Sequence, residues 1–120
     1  MRIHKYRGQT RATGEWVYGF YVEREGAAYG MIYNLKGLGT KVDKKTVGQF
    51  TGLKDKNGKE IYEDDICKVN MGSDHDVVKI HWRWSGFYVL GKVAKGPMPA
   101  DARNYFEVIG NIYSNPELIK

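Results

Sequence analysis

Apolar and polar residues along this chain alternate far more often than they recur at helical spacing. The cleanest alternation is Asp76–Trp84, where Val78, Ile80, Trp82 and Trp84 take turns with Val77, Lys79, His81 and Arg83. A period of two puts these sets on opposite sides of a strand, which predicts a core face opposite a mostly basic one. Trp16–Glu23 is equally rich in β-formers, with Trp16, Tyr18, Phe20 and Val22 on one side. Val17, Gly19, Tyr21 and Glu23 fall on the other, so both sides are expected to be partly covered. Shorter runs predict strands near Ile3–Arg7, Tyr29–Tyr33, Thr46–Phe50, Ile66–Val69, Phe87–Leu90 and Phe106–Tyr113.

Turn residues separate these runs. Thr13-Gly14, Arg24-Glu25-Gly26 and Ser85-Gly86 read as turns, and Asn57-Gly58 is a strong hairpin signal because type I′ turns need positive φ. Lys36–Lys45 reads as a polar connection. Val93–Ala102, with Gly96, Pro97 and Pro99, reads as an exposed loop. Ala100–Tyr105 could form one helical turn, and the tail after Pro116 another. Short strands at close spacing predict a mainly β chain with a small, SH3-like, partly open barrel over roughly 46–113. An N-terminal β-meander and connection, 1–45, is expected to pack on it, with 114–120 as a tail. The expectation is one domain spanning 1–120 with at most short helical turns.

Length and composition agree with that picture. A chain of 120 residues can bury roughly two-thirds of its unfolded surface and needs no staple to fold. Nine Tyr, three Trp and four Phe with fifteen Gly favour strands and tight turns over long helices. The single cysteine, Cys67, excludes an intramolecular disulfide and suits a reducing compartment. Basic residues near the start have no apolar stretch behind them, so a signal peptide is not expected. No run approaches the ~20 apolar residues of a membrane helix. The expected setting is therefore the cytoplasm, with no membrane partner. A net charge of +5 makes nucleic acid a possible partner without requiring one.

Three segments carry a family resemblance. Ile3–Arg7 is followed by Thr13–Gly19; then comes the most specific stretch, Thr46–Glu63, reading TVGQFTGLKDKNGKEIYE; the third is Phe106–Leu118, reading FEVIGNIYSNPEL. In this order they span almost the whole chain, which resembles the YopX family of phage and prophage proteins. The resemblance implies a β-rich fold and a phage or prophage origin, hence a host-cell cytoplasm. It implies no activity and no functional residues. Family members often have Gly-Asp where this chain has Asp64-Asp65, and an aliphatic residue where it has Cys67.

The candidate chemistry is sparse. Glu60, Glu63, Asp64 and Asp65 could bind a divalent cation, which makes a metal-dependent enzyme using Glu63, Asp64 and Asp65 one alternative reading. Their spacing matches no coordination pattern, and acids favour such turns for local hydrogen bonding. His4, His75, His81 and Cys67 do not compose a zinc set. Ser73, Ser85 and Ser114 lack a nucleophile elbow, Cys67 lies in an apolar strand, and Lys36–Lys41 matches no phosphate-loop fingerprint. Hence no catalytic residue, resident metal or cofactor is assigned.

Binding is the better reading. Lys79, His81 and Arg83 line one strand side, Arg7 belongs to an N-terminal patch with Arg2, Lys5 and Arg11, and Tyr88 could stack on a base. These five, Arg7, Lys79, His81, Arg83 and Tyr88, are the candidate nucleic-acid contacts. Trp16, Tyr18 and Tyr21 are candidates for a homo-oligomer interface or for capture of a host or phage protein. The expected function is a non-enzymatic phage accessory protein acting by macromolecular binding or self-assembly, with a nucleic-acid-binding module as an alternative.

Overall fold

Alternating aromatic and β-branched residues form strands wherever one side finds cover. The computed structural model describes residues 5–84 and 86–119. The chain is mainly β, as the pattern predicts, with two antiparallel sheets, no closed barrel and only short 3-10 turns at Lys44–Thr46, Ala102–Asn104 and Pro116–Ile119 among the described residues. It divides into two compact units, residues 1–50 and 51–120.

The first unit contains β1 (Tyr6–Gln9), β2 (Trp16–Glu23), β3 (Tyr29–Tyr33), β4 (Gly39–Asp43) and the start of β5 (Gly48–Lys54). They lie in the order β4-β3-β2-β1-β5. One side of this sheet buries Ile32 and Val42. Gly30 lies beneath the Tyr21 ring, where a Cβ would collide with it. A bridge between Thr10 and Val42 brings the end of β1 against β4 and bends the sheet. The predicted strand near Ile3–Arg7 is realised as β1; Arg2, Ile3 and His4 lie outside the described residues.

In the second unit the end of β5 pairs with β6 (Glu60–Tyr62) around the Asn57-Gly58 turn, where Gly58 has φ +82°. The second sheet holds β7 (Asp65–Met71), β8 (Asp74–Arg83), β9 (Gly86–Leu90), β10 (Lys95–Pro97) and β11 (Phe106–Asn111), in the order β10-β9-β8-β7-β11. Its core joins Ile61, Cys67, Val69, Val78, Ile80, Val89, Ala102 and Phe106. Each fully buried Ile or Phe among them contributes about 1.5–3 kcal/mol.

Buried aspartates tie the connections down. Asp76 accepts N–H donations from Val77, Lys92, Val93 and Ala94 at 2.8–3.3 Å, fixing the loop between β9 and β10. Asp55 accepts from Asn57, Lys59 and Val108, joining the hairpin turn to β11. Asp65 accepts from Tyr62 N. A backbone donor left without such a partner costs on the order of 1–3 kcal/mol, so these acids are structural.

Two boundaries differ from the sequence expectation. Lys36–Lys45 is not simply a connection, because Gly39–Asp43 forms β4 on β3; only Val42 faces the interior, too little apolar signal to betray a strand. Val93–Ala102 likewise contains β10, an edge strand on which Pro97 is tolerated. In addition, Thr46 closes a 3-10 turn, and β5 runs on past Phe50 to Lys54.

Candidate nucleic-acid interface

The second sheet has an apolar side and a basic side, and register decides which residues meet on the latter. Lys79 lies opposite Leu90, which lies opposite Lys95; His81 lies opposite Tyr88, which lies opposite Pro97; Arg83 lies opposite Gly86. On β7, Lys68 lies opposite Val77 and shares this side. The acid facing Lys68 across the sheet, Glu107, sits 3.7 Å from Lys56 Nζ. Lys79, His81, Arg83 and Tyr88 are thus brought together on one surface, with Lys95 extending it.

The apolar side ends earlier than alternation predicts. Val78 and Ile80 are fully buried, whereas Trp82 is 48% and Trp84 74% exposed. Trp82 packs edge-on against Phe87, with ring centroids 4.9 Å apart. Trp84 leaves the strand pattern altogether, because its φ is +58°. That left-handed conformation costs a non-glycine residue roughly 1–2 kcal/mol. Its effect is to swing the indole from the apolar side to the basic one. There it stands edge-to-face with Tyr88 at 5.5 Å, beneath the Arg83 guanidinium at 4.2 Å. The Tyr88 ring is in turn 6.2 Å from His81.

The β8–β9 hairpin therefore carries a row in which Arg83 meets Trp84, Trp84 meets Tyr88 and Tyr88 neighbours His81, continuing into Lys79 along the strand. Burial, then the neighbouring Lys79 and Arg83 charges, hold the His81 pKa below its ordinary 6.5, with Asp64 acting weakly the other way. The lowered pKa favours the neutral imidazole, and an approaching anion favours the protonated one. The place of Trp84 was not legible from alternation. The Ser85-Gly86 turn signal directly after it was the clue that this tryptophan belongs to the turn.

The remaining candidates sit elsewhere. Arg7 is in the first unit and only 6% exposed, its guanidinium 4.6 Å from the Trp16 ring. It is withdrawn from solvent rather than presented to a ligand. Tyr18 lies on β2 directly opposite Arg7 and is half exposed. Tyr21 points to the opposite side of that strand from Tyr18, stacks obliquely on Tyr6 at 5.7 Å and donates to Glu23 Oε1 at 3.4 Å. Trp16, Tyr18 and Tyr21 consequently do not share one face.

Within the acidic run, Asp65 and Glu60 accept hydrogen bonds from the backbone and hydroxyl of Tyr62, and Asp64 from the Tyr113 hydroxyl. Among the described residues no group of three or more His, Cys, Asp or Glu is placed to hold a metal ion. Burial, then Asp65 and Asp55, push the Cys67 thiol far up, which makes it a poor nucleophile. No helix among the described residues is long and apolar enough to cross a membrane.

Comparison with known proteins agrees with the fold. The crystal structure of protein EF1440 from Enterococcus faecalis superposes with a TM-score of 0.67 and 21% identity, covering 100% of both chains, a likeness of fold alone. No curated protein matches the sequence. The YopX protein family profile matches residues 5–120. The chain is thus a member of the YopX family.

Proposed function

We propose that this protein acts by binding rather than catalysis, as a phage accessory protein inside the host cell, and that its ligand is single-stranded nucleic acid held on the β8–β9 face. The observation that carries this reading is Trp84, an indole three-quarters exposed and kept at positive φ between Arg83 and Tyr88. Proteins that hold single strands without reading sequence interleave cations for the phosphates with aromatic rings for the bases. Lys79, His81, Arg83, Trp84 and Tyr88 have that interleaving along one hairpin. Residues 51–120 contain ten basic and ten acidic residues, so the positive surface is local. Several of the acids are spent on internal hydrogen bonds, as Asp55, Asp65 and Asp76 are.

The test is fluorescence anisotropy of labelled single-stranded DNA, single-stranded RNA and duplex DNA at 50 and 150 mM salt. Binding to single strands should persist at the higher salt. Trp84→Ala should weaken it about tenfold, since stacking on one ring is worth ~1–3 kcal/mol. Arg83→Glu should weaken it and flatten its salt dependence. Absence of binding at both salts, or binding indifferent to both substitutions, would refute the reading.

A further inference from the structure

The first unit leaves an apolar sheet side in solvent. Along β2, Tyr18, Phe20 and Val22 are 49%, 53% and 50% exposed, while the opposite side of the same sheet already buries Ile32 and Val42. Register extends the surface onto β3, because Phe20 lies opposite Tyr33 and Val22 opposite Met31. On β4 it is bounded by Gly39, which lies opposite Tyr33. A Cβ there would come within 2.7 Å of the Tyr33 ring and 2.9 Å of Met31 Cε, so the missing side chain is what lets both lie down on the sheet. A solvent-facing antiparallel sheet normally carries polar residues at these positions. A contiguous apolar patch of this kind marks an interaction site.

Cations stand at its margin. Lys41 lies directly opposite Met31, and Lys41 and Arg11 both approach the Tyr29 ring, at 4.7 and 5.9 Å. Asp43, opposite Tyr29, spends its carboxylate capping the N–H of Lys45 at 3.1 Å. Residues 1–50 contain nine Lys or Arg and four Asp or Glu, so the whole +5 excess of the chain resides in this unit.

We propose that the Tyr18–Phe20–Val22 face, with Met31 and Tyr33, is a docking surface for an acidic protein whose contact patch is apolar at its centre. The arrangement has the apolar middle and polar rim of a protein interface. Arg7, opposite Tyr18, is withdrawn against Trp16 at 6% exposure, and Lys41 and Arg11 stand at the margin. Among the described residues no exposed cation therefore lies between the central rings as on the β8–β9 hairpin, which speaks against a nucleic-acid strand as its occupant. A second copy would bring the same cation-bearing margin, Lys41 and Arg11, to the contact, so the two rims would carry like charge, which repulsion opposes. An acidic rim on the partner satisfies both the charge and the apolar centre.

The probe is a random peptide library displayed on yeast and selected against the whole protein. Enriched peptides should combine Asp or Glu with large apolar residues. Their affinity should fall at least tenfold with Phe20→Ser and severalfold with Lys41→Glu at an exposed position, and be unchanged with Trp84→Ala. Enrichment without acids, or affinity indifferent to Lys41→Glu, would overturn the proposal. So would a concentration-dependent dimer in sedimentation velocity that Phe20→Ser abolishes, which would make a second copy the occupant. Loss of oligonucleotide binding in Lys41→Glu and Phe20→Ser alike would assign the face to nucleic acid instead.

Discussion

Asp64 sits at φ +70° and its Oδ2 accepts a hydrogen bond from the Tyr113 hydroxyl at 2.9 Å. The backbone there is held from both sides, Asp64 N donating to Ile80 O at 2.7 Å and Ile112 N donating to Asp64 O at 3.0 Å. A conformation that glycine adopts freely is thus taken by an aspartate, with the Tyr113 bond as partial compensation. Asp64→Ala keeps the strain and loses the bond, and should cost about 1–2 kcal/mol. Asp64→Gly loses the bond but removes the strain, and should stay within ~1 kcal/mol of the parent. Urea denaturation of the two variants distinguishes strain from hydrogen bonding; equal losses would remove strain from the account.

Asp76 gives a second stability prediction. Donation from Ala94 and Val93 holds its carboxyl below the ordinary 3.8, against burial. At Asp55 burial pushes the pKa up, but N–H donors from Val108, Lys59 and Asn57 together outweigh it and the net shift is also downward. Depressed carboxyls mean that the unfolded chain takes up protons first as pH falls. The stability they confer is therefore complete above about pH 4–5 and drains away as pH drops through the folded pKa values. Asp76→Ala, which strands four backbone donors, should cost about 2–4 kcal/mol at pH 7 and blunt the acid dependence below pH 4. Thermal denaturation across pH 2–7 reads both effects, with the exposed Asp74→Ala as a control expected to move little.

His81 makes the binding pH-dependent. With its folded pKa below 6.5, the unfolded chain binds the proton more readily, so His81 subtracts stability as pH falls through that range. A phosphate beside the ring acts in the opposite sense, favouring the imidazolium. Affinity for an oligothymidylate should tighten severalfold from pH 7.5 to 5.5, and His81→Gln should flatten that profile. A parallel profile in the variant would remove His81 from the site.

Trp84 separates stability from binding. Trp84→Gly relieves the positive φ and forfeits the contacts with Tyr88 and Arg83, so stability should change by no more than about 1 kcal/mol. Oligonucleotide affinity should nevertheless fall about tenfold. A large loss of stability would show instead that the indole is a structural plug.

Cys67 is predicted to be silent. Fully buried in the second core and with its thiol pKa raised, it should not react with a disulfide reagent at pH 8 until the protein is unfolded, when one thiol should appear. Rapid reaction of the native protein would contradict the burial.

Much of this molecule follows from local pattern. Alternation at 76–81 and 16–23, the hairpin at Asn57-Gly58 and the helical turn after Ala100 are all present, because each depends on residues a few positions apart. Of the two turn residues, however, only Gly58 takes the positive φ that a type I′ turn asks of both. β4 and β10 were not legible, since one inward-facing apolar residue or a Gly-Pro pair is no signal until a neighbouring strand offers its hydrogen bonds. Arg7 was misleading for the same reason. Its charge said surface, and only the pairing of β1 with β2 placed its guanidinium against Trp16 and out of solvent.

What the sequence by itself determined was the mainly β class, the family and the basic side of β8, all consequences of short-range periodicity and local motif. Which aromatics remain in solvent was decided by tertiary structure alone. Both sides of β2 read as partly covered, yet Phe20 and Val22 are half exposed while the sheet's other side holds Ile32 and Val42. Trp84 read as the end of an apolar stripe, and a single left-handed residue turned it onto the basic side. Burial is settled by which faces find cover, a long-range outcome that no window of neighbouring residues contains.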